Sequence, residues 1–239
     1  MSRKRKLEHF AEMKTFPHVV EADFSNVLHT NHPLKGLWNS QFFHNPNPII
    51  LELGCGKGEY TVGQAQHRPE INFIGIDIKG ARMWRGAKTT EELGLKNVGF
   101  LRAKIDMIRS FFQPGEVQEI WITFPDPQIR KVTKRMLGTR FLGYYQQFLA
   151  HNGIVHLKTD SQFLYEYTLA MVAHNSLQLI AADPDIYNHS ALENPVLNIR
   201  THYEAMWLKQ GYPSRHIAFH LPSDQQLTEP EFEFDGPLR

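Results

Sequence analysis

From residue 48 onward, short apolar runs alternate with longer segments of mixed polarity, and that alternation predicts the fold. The runs "IILELG" (49–54), "INFIGID" (71–77), "EIWITF" (119–124) and "GIVHLKTD" (153–160) are too evenly apolar to leave one face in water. Runs of this kind suit strands of a parallel sheet covered on both faces. Between them the spacing predicts helices over roughly 59–67, over "GARMWRGAKTTEELG" (80–94) and over roughly 137–150. Another helix starts at Ser161, a good N-cap, and continues through "QFLYEYTLAMVAHN". After Asn175, "LQLIAA" and "HIAFHLP" predict a final antiparallel pair with a helix near "YEAMWLKQ" between them. The expected fold is α/β: a doubly wound, mostly parallel sheet with right-handed crossovers and helices on both faces.

The same pattern divides the chain. Residues 1–47 read as a basic, partly irregular arm, 48–222 as one domain, and 223–239 as an acidic tail. No apolar run approaches the roughly 20 residues needed to span a bilayer. The basic start "MSRKRKLEHF" is not followed by the apolar core of a signal peptide, so a cytoplasmic location is expected. Cys55 is the sole cysteine, which excludes internal disulfides and cysteine-based zinc clusters. The histidines show no ligand spacing, and no obligatory metal is expected.

Charge changes the picture more than composition does. A formal net charge of +1 hides a segregated distribution. Arg3, Lys4, Arg5 and Lys6 form one cationic run, and Arg130, Lys131, Lys134, Arg135 and Arg140 form a second, whereas the end of the chain is acidic. Segregated charge points to an anionic partner, against the plainer reading of solvated surface. Nothing in the pattern decides between monomer and homodimer.

Candidate chemistry begins at "LELGCGKGEY", which sets Gly54, Gly56 and Gly58 at alternate positions after a strand. Such a turn lets backbone approach a ligand closely. The dinucleotide fingerprint needs glycine at the position held by Glu59, and no Gly-Lys-Ser/Thr follows as a P-loop requires. Glu52 interrupts the strand before the turn, where a carboxylate meets a cationic ligand. Asp77 closes the next strand, the usual place for an acid that binds ribose hydroxyls. Acid, alternate glycines and second acid together suit S-adenosylmethionine, which carries a ribose, an ammonium and a sulfonium but no phosphate. The competing reading is a tight turn with two strand-end acids.

In "WITFPDPQIRK" (121–131), Pro125 and Pro127 remove two backbone donors and predict extended geometry for Phe124 and Asp126. Asp126 then stands on a stiff support beyond a strand's carboxyl end, where ligand crevices of open α/β sheets lie. The alternative is a rigid proline turn with an exposed acid. Trp121 reads as core, and Phe124 is open between core and stacking platform.

"ELGCGKGEY", "GID", "FPDPQIRK", "LKTD" and "RTHYE" occur in the order and at roughly the spacing of the bacterial tRNA (guanine-N7)-methyltransferases, and residues 48 to about 210 resemble that family. The resemblance implies a Rossmann-like, S-adenosylmethionine-dependent methyltransferase acting on tRNA, at guanine 46 of the variable loop. It implies that Asp126 lies at the active site and that Glu52, Gly54, Gly56 and Asp77 bind the donor. Substrate contacts then fall to Arg130, Asp160, Thr201, His202, Tyr203 and Glu204. The match has departures. The family often reads P-D-P-W followed by K-x-R-H-x-K-R-R, whereas "PDPQIRKVTKRM" has Gln128 for the aromatic and lacks the histidine. Lys104 stands where members often carry an acid, which leaves Asp106 as the candidate for the adenine end of the donor.

Guanine N7 already carries a lone pair, so the reaction needs positioning and charge stabilisation rather than a base. Asp126 is therefore expected to position and stabilise the purine, with Asp160 and Glu204 accepting from its N–H groups. Rival readings are an amino (N6-adenine-type) methyltransferase, a tRNA-binding relative without catalysis, and a nucleotide-dependent oxidoreductase.

Overall fold

In the computed structural model, which describes residues 3–22 and 30–236, eight strands form one sheet. They are β1 (Val19–Glu21), β2 (Ile49–Leu53), β3 (Asn72–Asp77), β4 (Val98–Arg102), β5 (Val117–Thr123), β6 (Leu149–Thr159), β7 (Leu179–Asp183) and β8 (Arg215–His220). Their order across the sheet is β1-β4-β3-β2-β5-β6-β8-β7, with β8 antiparallel to both neighbours and the other pairs parallel. The helices are α1 (Arg3–Met13), α2 (Glu59–His67), α3 (Gly80–Leu93), α4 (Thr139–Tyr145), α5 (Gln162–His174) and α6 (His202–Leu208).

All five residues of β2 are buried because both sheet faces are covered. Ile49, Leu51 and Leu53 enter one apolar layer with Phe141 and Phe163 of α4 and α5. Ile50 enters the other with Tyr60, Met83 and Trp121, beneath α2 and α3. Trp121 is thus core, as its strand position predicts. Glu52, alternating with Leu51 and Leu53, shares the Ile50 side. The chain runs outward from β2 through β3 and β4, then returns to β5 on the other side of β2. That reversal opens a crevice beyond the carboxyl ends of β2 and β5.

Local signals set the helix ends. Ser161 caps α5 by accepting from Leu164 N, and Gly94 ends α3 at φ 63°, in the left-handed region. The helix expected over 137–150 is shorter, because Leu149 already pairs with Val117 and the register of β5 on β6 shifts before Glu119 meets Ile154. The "AHNG" stretch between them is an excursion of β6 rather than helix. In the amino-terminal segment β1 extends the sheet beside β4, and Glu12 of α1 accepts from Trp84 Nε1 at 2.7 Å while pairing with Lys88 at 3.3 Å. A three-residue strand is too short to show a period, so polarity alone described this region. The side chains of Arg3, Lys4, Arg5 and Lys6, and residues 237–239, lie outside the described residues. Among the described residues no helix is long and apolar enough to cross a membrane, and no group of three His, Cys, Asp or Glu is placed to hold a metal ion.

Candidate active site

The glycine turn leaves β2 by folding over the end of β3: Gly54 N and Cys55 N both donate to Ile76 O, at 2.8 and 3.1 Å. Gly54, Gly56 and Gly58 have φ of 78°, 56° and 70°, a region that only glycine enters without steric cost. Their roles differ. A Cβ on Gly58 would strike the Phe100 ring at 2.6 Å, so this glycine serves the packing of α2 on the sheet. A Cβ on Gly54 would meet nothing within 4 Å, and one on Gly56 only Gly54 O at 3.9 Å. Those two side chains would project into the crevice, which makes bare backbone there a cradle for a ligand.

The crevice holds a cavity of about 500 Å³, and Glu52, Glu59, Asp77, Asp126 and Asp160 line it against Lys57 and Arg82. An excess of acid over base suits a cationic ligand. Asp77 accepts from Gly56 N at 2.9 Å and from Lys79 N at 2.8 Å, which leaves one lone pair on each oxygen for hydroxyl groups. Cys55 is buried, and burial raises its thiol well above the ordinary range, so it is no nucleophile at neutral pH.

Glu52 differs from the sequence expectation. Instead of standing open to a cationic ligand, it lies 3% exposed, accepting from the Thr61 amide at 2.8 Å, from the Thr61 hydroxyl, and from Thr123 Oγ1 at 2.6 Å. It thereby ties β2 to α2 and β5. Burial raises its carboxyl to about 7, against the hydrogen bonds from Thr123 and Thr61. A folded-state value above the unfolded one means the folded chain binds the extra proton. Its contribution to stability is therefore complete at acid pH and is lost as pH rises toward 7. A displacement of this size is on the order of 3 kcal/mol. Thermal melts from pH 5 to 8 should show wild type losing stability relative to Glu52→Gln over that span, while buried His156 and His216, both lowered by burial, add the opposite slope to both proteins alike. Glu52→Gln should lack this component of the slope, and parallel profiles would contradict the assignment.

Beyond β5, Phe124 N keeps a sheet bond to Lys158 O at 2.8 Å, yet Phe124 lies at φ 48° instead of the extended geometry expected before proline. The bond holds its amide on β6 while the chain must leave the sheet at Pro125, and a positive φ makes that departure in one residue. Such a conformation costs a non-glycine residue on the order of 1–3 kcal/mol and recurs at functional sites. Asp126 follows, exposed at the cavity, accepting from Gln128 N at 3.1 Å. Arg130 and Lys131 are exposed on the same loop, outside the cavity lining.

The opposite rim comes from the start of α6. Thr201 and Glu204 form a capping box, with Glu204 N donating to Thr201 Oγ1 at 3.2 Å and Thr201 N to Glu204 Oε2 at 3.2 Å. Thr201 and Tyr203 face the cavity with Asp160, whereas His202 is exposed and its amide donates to Glu59 Oε2 at 2.9 Å. Glu204 is not brought to the cavity. It is fully buried, with Lys158 Nζ at 2.9 Å and the Tyr187 hydroxyl at 2.8 Å on Oε1. Its acceptor positions are filled by the protein, so it holds α6 rather than a purine. Lys158, which the sequence reading passed over, spends its three donors on Glu204, Leu197 O at 2.9 Å and Ile199 O at 2.8 Å. A lysine inside the apolar run "GIVHLKTD" was the available signal.

A second cavity of about 230 Å³ joins the first at Gly54 and Asp77, walled by Ala103, Ile105, Met136 and Phe141, with Asp106 at its edge. An apolar slot beside the strand-end acid Asp77 has the shape and polarity to take a flat base. Asp106 pairs there with Arg140 at 2.7 Å, so this member of the second cationic run is engaged at the slot. Arg135 of the same run is not at the surface either: it is buried beneath the Asp126 loop.

Strand order, switch point and glycine cradle define a Rossmann-like methyltransferase. Among solved structures, the 16S rRNA methyltransferase KamB shares this fold with a TM-score of 0.59 and 13% identity, over 77% of this chain and 92% of that one. A structure titled an antibiotic related methyltransferase aligns with a TM-score of 0.55 and 15% identity, over 76% and 90%. A family model described as "Putative methyltransferase" matches residues 46–216. The tRNA (guanine-N(7)-)-methyltransferase of Bacteroides fragilis is 50% identical over 232 residues, covering 97% of this chain and 92% of its own. That of Porphyromonas gingivalis is 51% identical over 226 residues, covering 93% of each. The chain belongs to the tRNA (guanine-N(7)-)-methyltransferase family.

Proposed function

We propose that the protein methylates N7 of guanine 46 in the variable loop of tRNA, with Asp126 as the group that positions and stabilises the purine. The observation that carries this reading is the carboxylate of Asp126, fixed by Gln128 N at 3.1 Å on the cavity that Gly54, Gly56 and Asp77 share with Thr201 and Tyr203. S-adenosylmethionine is the methyl donor and supplies an electrophilic methyl group on a sulfonium. Asp77 takes its ribose, the bare backbone of Gly54 and Gly56 its amino-acid end, and the slot edged by Asp106 its adenine.

Guanine enters from the Tyr203 side, where Lys57 and Arg82 lie 5.9 and 5.8 Å from the ring centroid and hold it at the rim. As N7 gains the methyl group, positive charge appears on the purine. A carboxylate is then worth more in the transition state than in the ground state, which is the condition for lowering the barrier. Asp126 and Asp160 both meet that condition, and neither has to remove a proton for bond formation at N7. A cytoplasmic location goes with a tRNA substrate.

Methyl transfer from labelled S-adenosylmethionine to an unmodified tRNA transcript tests the reading, with nucleosides identified by mass spectrometry and by cleavage at 7-methylguanosine. One 7-methylguanosine, lost when guanine 46 is replaced, is the expected result. Methylated adenosine would indicate an amino methyltransferase instead, and tRNA binding without transfer would indicate a relative that has lost catalysis.

Exposed Arg130 and Lys131 supply the cations beside the target base. Arg130→Ala should weaken tRNA binding across sequences and reduce the slope of log K against log salt by about 1. Unchanged affinity across a salt series would remove Arg130 from the interface.

A further inference from the structure

Arg135 belongs by sequence to a basic run, yet it is 6% exposed and turned inward. Its Nε donates to Gln128 O at 3.2 Å and its Nη2 to Ile129 O at 2.6 Å. Gln128 is itself held in the left-handed region at φ 48°, and its amide donates to the Asp126 carboxylate. One peptide segment is thus gripped at both ends, by Asp126 in front and by the Arg135 fork behind. The guanidinium rests 4.4 Å from the ring centroid of Tyr167 and 4.8 Å from that of Phe163, both on α5. Behind those rings lies the carboxyl-terminal segment. Phe232 and Phe234 meet the Phe163 ring edge-on at 5.7 and 5.3 Å, and the Tyr167 hydroxyl donates to Glu229 Oε2 at 2.6 Å. The other oxygen of Glu229 accepts from the amide and hydroxyl of Thr139, both at 2.8 Å, and so anchors the segment to the start of α4.

We propose that Arg135 is a positioning residue for methyl transfer, and that the carboxyl-terminal segment around Glu229, Phe232 and Phe234 locks it from behind through Tyr167 and Phe163. The proposal rests on the reading of Asp126 as the group beside the reacting guanine. A planar fork with five fixed donors suits two neighbouring carbonyls and a ring stack at once, which lysine cannot reproduce. Without it the loop has its turn bonds and the Asp126 contact left, and a displacement of about 1 Å at a reacting group costs on the order of a hundredfold in rate.

Three variants test this: Arg135→Met, which keeps the unbranched stem, Tyr167→Phe, which removes one hydroxyl, and their combination. Arg135→Met should lower kcat by roughly 10- to 100-fold. The dissociation constants for S-adenosylmethionine and tRNA should stay within about threefold, and the salt slope should not move. Amide exchange at Gln128 and Lys131 should quicken in the same variant, a readout independent of chemistry. Tyr167→Phe should lower kcat less, and the double variant should be no worse than Arg135→Met, because both act on one grip. A weaker, less salt-dependent tRNA complex would make Arg135 a phosphate contact and overturn the proposal. So would multiplicative effects, or a fall in melting temperature with kcat per donor-binding site intact. Unchanged exchange would show that Arg135 does not hold the loop. Quickened exchange with unchanged kcat would also overturn the proposal, and would locate the failure in the reading of Asp126.

Discussion

Asp126→Ala is expected to lower kcat for tRNA methylation by about 10²- to 10³-fold, the range found when one preorganised electrostatic group is removed from a transition state. Binding of S-adenosylmethionine and tRNA should change little. Asp126 is exposed in the free protein, and no described contact makes it part of the core. Its carboxylate engages one amide, that of Gln128, so truncation leaves no buried group unsatisfied. Asp126→Asn separates charge from hydrogen bonding. It keeps an acceptor for Gln128 N and for a purine N–H, and loses the negative charge that offsets the methylated ring. If charge matters most, Asn should be nearly as slow as Ala; if orientation does, Asn should recover much of the rate. Single-turnover transfer with enzyme in excess isolates the chemical step, and filter binding reports affinity. A loss of tRNA affinity as large as the loss in rate would remove the assigned role.

How much of this could be read from the sequence depended on distance along the chain. The donor half was legible because its parts are local. A strand, a turn that needs left-handed φ and an acid closing the next strand each leave a mark within a few residues. The loop carrying Asp126 was legible from its prolines, but its shape was not. Phe124 takes a positive φ because Lys158, more than thirty positions away, holds its amide on the neighbouring strand. Gln128 stands in place of the aromatic that the family motif often carries. Yet the contacts that tie this position to Asp126 and Arg135 come from its backbone N–H and C=O, which a change of side chain leaves in place. Arg135 and Glu204 went the other way. Each sits in a motif-like run, basic in one case and substrate-contacting by resemblance in the other, and each is turned inward: Glu204 by Lys158 and Tyr187, Arg135 by two loop carbonyls and the rings of Phe163 and Tyr167. A run of like residues reports composition; it does not report which member finds a buried acceptor. The amino-terminal segment was hidden for a different reason, since Met13 and Phe16 are buried by α3 and the sheet but stand in a polar stretch with no period.

The largest effect on stability should come from Lys158. Both members of the Lys158–Glu204 pair are 0% exposed, and removing one partner leaves the other charge buried without a counter-ion, which costs about 3–5 kcal/mol. For a domain of this size, Lys158→Met should lower the melting temperature by roughly 6–20 °C. Burial acts to lower the lysine's pKa, and the Glu204 carboxylate acts against it. The saturated arrangement, with three donors on three acceptors, favours the ammonium form. Lys158→Met combined with Glu204→Leu should recover much of the loss, because the desolvated charge is then gone from both sides. Recovery should be incomplete, since Tyr187 loses its acceptor and Thr201 N its half of the capping box. Glu204→Gln distinguishes this scaffold role from the substrate contact that the family motif implies. A scaffold residue lowers the melting temperature first and raises KM for tRNA only through a loosened α6, which carries Thr201 and Tyr203. A residue reserved for substrate would leave the melting temperature unchanged while tRNA affinity fell. Thermal melts of the three variants, with KM for tRNA measured well below each midpoint, decide between them. Lys158→Met within about 0.5 kcal/mol of wild type, the ordinary range for an exposed side chain, would show that the pair does not hold α6 against the sheet.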